Sequence, residues 1–95
     1  MSPSYDVQIA SAAHRQLRRL PTKVALAVVE FVTVVLPGDP LRLSKPLTGE
    51  FTALRSARRG DYRVLIQVDE AARTVLVLRI AHRAEVYRPP PPSAE

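Results

Sequence analysis

The sequence predicts an α+β domain in which a two-helix hairpin covers one face of a mostly antiparallel sheet, in the order β-α-α-β-β-β. Three observations carry this. A short alternating segment opens the chain, two stretches with helical apolar spacing follow, and the second half holds aliphatic runs separated by the turns Arg59-Gly60-Asp61 and Glu70-Ala71-Ala72.

In the first strand Tyr5, Val7 and Ile9 alternate with Asp6 and Gln8, so one face is apolar. Ser11 offers a capping oxygen to a helix whose Ala13, Leu17 and Leu20 fall on one side, with Arg15, Arg18 and Arg19 on the other. Pro21 interrupts, and Thr22 is placed to cap a second helix. The valines between Val24 and Leu36 suit a strand, but the run exceeds most strands without meeting a breaker, which favours a helix. Pro37, Gly38 and Pro40 end it. Leu41 to Thr52, with Pro46 and Gly49, reads as a returning loop. Three strands are then expected at Leu54–Ala57, Tyr62–Asp69 and Thr74–His82, the last of them central because it is almost wholly branched aliphatic. Residues 1–88 form a single domain in this reading, and the Pro-rich residues 89–95 a disordered tail.

A hydrophobic fraction of 46% supplies the apolar surface that offsets ordering entropy, so a globular chain is expected. The absence of cysteine excludes disulfides and thiolate metal sites, and two histidines leave little from which to build a zinc cluster. No cofactor is implied. The opening MSPSYDVQIA lacks a signal-like apolar core, and Val24–Leu36, broken by Glu30, is too short to span a bilayer. A cytoplasmic protein without membrane association follows. The net charge of +5 favours an anionic partner, and its placement sharpens this: four arginines face one aspartate within residues 55–63.

Three strings, AAHRQLRRLP, SARRGDYRVLIQVD and RIAHRAEVYR, occur at a spacing that spans nearly the whole chain up to Tyr87. In combination they resemble the RelE/ParE toxin superfamily, and within it the RelE-like mRNA interferases. The resemblance implies the RelE-like fold and a bacterial type II toxin, cutting mRNA in the A site of the 70S ribosome. It also implies a cognate RelB-like antitoxin, with operator DNA bound only through the antitoxin complex. Within the family's pattern, the arginine after the GDY motif matches Arg63, that of the later loop Arg83, and the C-terminal tyrosine Tyr87. Two lysines of well-studied members fall at Leu54 and Ser56, beside Arg55 and Arg58. Two alternatives stay open: a ParE-type inhibitor of DNA gyrase, and a weakened toxin kept for antitoxin binding and promoter autoregulation.

Metal-independent RNA cleavage uses the neighbouring 2′-hydroxyl as nucleophile. It needs a proton acceptor, cations around the phosphoryl oxygens and a proton donor for the departing 5′-oxygen. On the family's pattern Arg63 binds the scissile phosphate through its planar fork, against the plainer reading of a pair with Asp61 or Asp69. Arg83 is a second phosphate ligand or an acid, against a solvated pair with Glu85. Tyr87 is a general base or a stacking platform; with a reference pKa near about 10, base work requires nearby cations, for which Arg63, Arg83 and Arg88 are available. His82 is of a type that exchanges protons near neutrality, but its strand parity with Leu78 and Ile80 favours a packed role over a catalytic one. Arg55, Arg58, Arg59 and Arg88 are assigned to the RNA backbone. The central expectation is that Arg63, Arg83 and Tyr87 converge on one phosphodiester.

Overall fold

The structure, a computed structural model, describes residues 4–47 and 54–82. Strand β1 (Asp6–Ile9) leads into helices α1 (Ser11–Arg19) and α2 (Thr22–Glu30), followed by a π-helical turn over Phe31–Val35 and a 3-10 turn over Leu36–Gly38. Four strands follow: β2 (Ser44–Pro46), β3 (Arg55–Arg59), β4 (Tyr62–Asp69) and β5 (Thr74–His82). They form one sheet in the order β1-β5-β4-β3-β2. Only β1 and β5 run parallel; the other pairings are antiparallel.

The expected α+β architecture is present, with β5 flanked on both sides. Four details differ. Neither Ser11 nor Thr22 caps a helix: each is the first helical residue, the cap positions belong to Ala10 and Pro21, and no side-chain capping bond forms at either. The reason at α1 is that strand pairing runs up to the helix. The Ala10 N–H still donates to the Val77 carbonyl at 2.8 Å while the Ala10 carbonyl already accepts from His14 at 3.0 Å. At α2 the proline ring fixes φ at −54°, which suits an extended residue immediately before a helix.

The apolar run after Pro21 is helical, but its second half widens. Val28, Val32 and Leu36 are buried at intervals of four residues. Four exceeds the 3.6 of an α-helix, so that stripe drifts unless the turn loosens. The π-helical turn absorbs the drift, and the Thr33 hydroxyl satisfies the Val29 carbonyl at 2.7 Å.

Within the stretch read as a loop lies β2, an edge strand of three residues. It escapes notice because it is short and ends in Pro46, which lacks the N–H for a ladder and is tolerated only at a sheet edge. Strand β3 also runs two residues past the expected Ala57, because the hairpin loop is only Gly60-Asp61 and Arg59 pairs with Tyr62. Gly60 has φ +61°, the positive first position of a type II′ turn.

In β5 the register shifts: Leu65 opposes Arg79 whereas Ile66 opposes Val77, leaving Leu78 as an inserted residue. Parity therefore inverts along the strand. Val75 and Val77 face the helices before the bulge, and Ile80 after it. These three, with Ala57, Val64 and Ile66, are at most 1% exposed and pack against Ala13, Leu17, Val28, Phe31, Val32 and Leu36. Full burial of one such aliphatic side chain stabilises by roughly 1.5–3 kcal/mol. One sheet face is thereby consumed by the core, and the other is left for function. No described helix is long and apolar enough to cross a membrane.

Candidate nucleic-acid interface

Alternation along the strands assigns each candidate to a face. Arg58 and Arg63 oppose each other across the β3–β4 ladder, on the face away from the helices. Directly paired residues hold their Cβ atoms roughly 4.5–5.5 Å apart, and like charges there repel. An anion held between them would ease that repulsion. Arg58 is exposed, its Nε donating to the Gly60 carbonyl at 3.2 Å. Arg63 is half-buried, with its Nε shut off from solvent.

Between them and the sheet edge lies a depression of about 180 Å³, lined by Arg42, Leu43, Ser44, Lys45, Ser56, Arg58 and Arg63. None of these lining residues is acidic. Arg42 itself stands 4.0 Å from Asp39. The groove is therefore a basic pocket with small polar walls, suited to a phosphate rather than to an apolar ligand.

The remaining sequence candidates are dispersed. Arg55 lies on the helix side and is half-buried: its Nε donates to Ser44 Oγ at 2.7 Å, and its Nη2 to the Leu41 and Ser44 carbonyls at 3.0 Å each. Its reading as an RNA-backbone ligand does not fit this placement, because alternation turns it from Arg58 and its guanidinium is engaged by the chain. Arg59 also points to the other face, beside a hollow lined by Lys23, Val24 and Tyr62. His82, carried past the bulge, lies opposite Tyr62, whose ring it meets edge-on at 5.7 Å and 82°. It borders α1 through Gln16, Arg19 and Leu20, whereas Arg63 pairs with Ala81 and projects the opposite way. His82 is exposed rather than packed in the core, and it is not gathered with Arg63. Arg83, Tyr87 and Arg88 lie outside the described residues, and with them the expected three-residue convergence. Arg15, Arg18 and Arg19 form the exposed side of α1, as their spacing implies.

Lys45 was not singled out as a member of the groove by the sequence, and Ser56 only as the place of a lysine in the family's pattern. The available signal was a polar tripeptide ending in proline ahead of an arginine-rich strand, which is a weak mark of an edge. Among the described residues no set of three or more His, Cys, Asp or Glu is grouped to hold a metal.

Known proteins share the sequence pattern and the fold. The family model for the ParE toxin of type II toxin-antitoxin systems, parDE, matches residues 7–87. Toxin RelG of Mycobacterium tuberculosis is 45% identical over 84 residues, covering 88% of this chain and 97% of that protein. Toxin RelE of the same organism is 48% identical over 84 residues, covering 88% of this chain and 87% of its own length. A toxin chain in the crystal structure of the toxin-antitoxin complex RelBE2 from M. tuberculosis superposes with a TM-score of 0.82 at 43% identity, covering 85% of this chain and all of that one. The isolated Escherichia coli RelE toxin shares the fold, with a TM-score of 0.66 at 20% identity over 88% of this chain and 92% of its own. Matched along nearly its whole length by family, relatives and fold together, the chain belongs to the RelE/ParE superfamily as a RelE-type toxin of a type II toxin-antitoxin system.

Proposed function

We propose that the protein is a metal-independent endoribonuclease that cuts mRNA in the ribosomal A site. The observation that carries this reading is the opposed pair Arg58 and Arg63 on the open sheet face, one ladder step from the end of β5. Ala81 pairs with Arg63 there.

In this mechanism Arg63 grips the scissile phosphate and Arg58 a neighbouring backbone position. Their charge offsets that which builds on the phosphoryl oxygens as the 2′-oxygen attacks and the 5′-oxygen leaves. Tyr87 takes the 2′-hydroxyl proton or stacks on the base, Arg83 supplies a second phosphate contact or the proton that the departing 5′-oxygen takes up, and Arg88 neutralises the backbone beyond. The ribosome fixes the codon in a form competent for in-line attack, a contribution of orientation that a small open groove cannot make alone. The partner that silences the toxin is a RelB-like antitoxin. Similar toxins were solved bound to antitoxins, and this chain leaves Leu26, Val29, Val34 and Val35 exposed on the outer side of its second helical segment. Operator DNA is then reached only through that complex, and the site of action is the cytoplasm.

The test maps mRNA 5′ ends on translating ribosomes after adding purified, antitoxin-free protein. New ends within the A-site codon are expected from the wild type, and a loss of roughly 100-fold or more from Arg63→Ala. A folded wild-type protein that leaves ribosome-bound mRNA intact removes this function.

A further inference from the structure

We propose that Lys45 is a third phosphate-binding cation of the groove, and that Arg55 is the positioning residue that holds it there. This rests on the nuclease reading for its consequences in cleavage, though not for its consequences in binding.

Four observations lead to it. Lys45 opposes Ser56 in the β2–β3 ladder, and Ser56 lies on the same face as Arg58, two residues further along β3, and as Arg63, which pairs with Arg58. A small serine under the lysine leaves the depression open, and Lys45 lines it. The strand that carries Lys45 is three residues long and ends in a proline, so its ladder alone is a weak support. The support comes from behind. Arg55 ties the Leu41 carbonyl, the Ser44 carbonyl and Ser44 Oγ to β3, and the Ser44 hydroxyl donates in turn to the Pro40 carbonyl at 2.6 Å.

Because successive side chains point oppositely, fixing Ser44 inward fixes Lys45 outward into the groove. Arg55 thus works through the backbone, from the far face, on a residue it does not touch. The resulting division of labour suits phosphate chemistry: guanidinium forks grip two oxygens, and the ammonium supplies a compact charge to a third.

The experiment has two readouts. The first is the salt dependence of binding to a single-stranded RNA oligonucleotide, which needs no cleavage. Lys45→Ala is expected to flatten the log–log slope by about 0.7, as loss of one phosphate contact does, while Lys45→Arg preserves it. The second is ribosomal mRNA cleavage, where Lys45→Ala is expected to cost about tenfold to a hundredfold. For Arg55 the readout is coupling. Lys45→Ala is expected to cost less than about threefold in an Arg55→Lys background, since the arm is already released. If Arg55→Lys fails to fold, Ser44→Ala replaces it, because it removes the Nε acceptor and the bond to the Pro40 carbonyl while leaving Arg55 its two carbonyl partners.

An unchanged salt slope with Lys45→Ala overturns the assignment of Lys45. Fully additive losses overturn the positioning role of Arg55. Loss of cleavage with Arg63→Ala but not with Lys45→Ala leaves the nuclease function standing and this inference fallen. A wild type that binds RNA through Lys45 yet never cleaves has the reverse meaning.

Discussion

The side-chain carbonyl of Gln16 accepts the backbone N–H of Ile80 at 2.6 Å, joining the middle of α1 to the last stretch of β5. The bond has a specific cause. Strand β1 ends at Ile9, opposite Val77, so beyond that point β5 has no neighbouring strand on this side among the described residues. Gln16 supplies the missing acceptor. Replacing it with alanine is expected to cost about 1–3 kcal/mol, the penalty of a half-enclosed donor left without its partner. Urea unfolding followed by circular dichroism checks this, and Gln16→Glu, which keeps an acceptor, is expected to lose less.

The two faces of β3 give a sharper test of function. Arg58→Ala is expected to weaken RNA binding, flatten its salt dependence by about 0.7 and reduce cleavage at least tenfold. Arg59→Ala, one residue along but on the helix side, is expected to stay within about twofold of wild type. Equal losses from both variants would show that charge in the hairpin matters and its placement does not.

His82 separates sequence pattern from geometry in the same way. Because it stands against Tyr62 on the side opposite Arg63, His82→Gln is expected to leave the cleavage rate and its pH profile within about threefold of wild type. A rate lost by two orders of magnitude would place a proton transfer at this ring.

Gly60 tests the hairpin that sets Arg58 against Arg63. A Cβ at this position meets nothing within 4 Å, so the cost of Gly60→Ala comes from the backbone at φ +61° alone. A loss of about 1–2 kcal/mol is expected in thermal or urea unfolding. Gly60→Asn is expected to cost less, since asparagine tolerates this conformation better.

In the core, Ile66→Ala is expected to cost about 2–5 kcal/mol, and Ile66→Val about 0.5–1.5 kcal/mol, because Ile66 is fully enclosed between sheet and helices. Calorimetry of the isolated toxin measures both.

Much of this architecture is legible in the residues because two periods repeat cleanly. The alternation of Tyr62, Val64, Ile66 and Val68, and the spacing of Ala13 and Leu17, report real faces. What escapes is local and non-periodic. The bulge at Leu78 inverts the parity of β5 and moves His82, yet nothing in an unbroken aliphatic run marks it. The edge strand at Ser44–Pro46 is too short to show a period. Ser11 and Thr22 carry capping chemistry that preceding extended residues make unnecessary. The same limits apply to the groove. Arg58 and Arg63 stand out as charges, but the facing of Arg55 toward Ser44 depends on a turn eleven residues away in sequence.

The pairing of β1 with β5 sets an order of events. Asp6 finds its partner in Thr74, so β1 waits for β5 to be made. Closing so long a segment carries its entropy cost before any ladder bond rewards it. The helical hairpin and the β3–β4 hairpin form from near neighbours. The sheet is completed only once β5 has been made, and until then Val7 and Ile9 lack the strand they pair with.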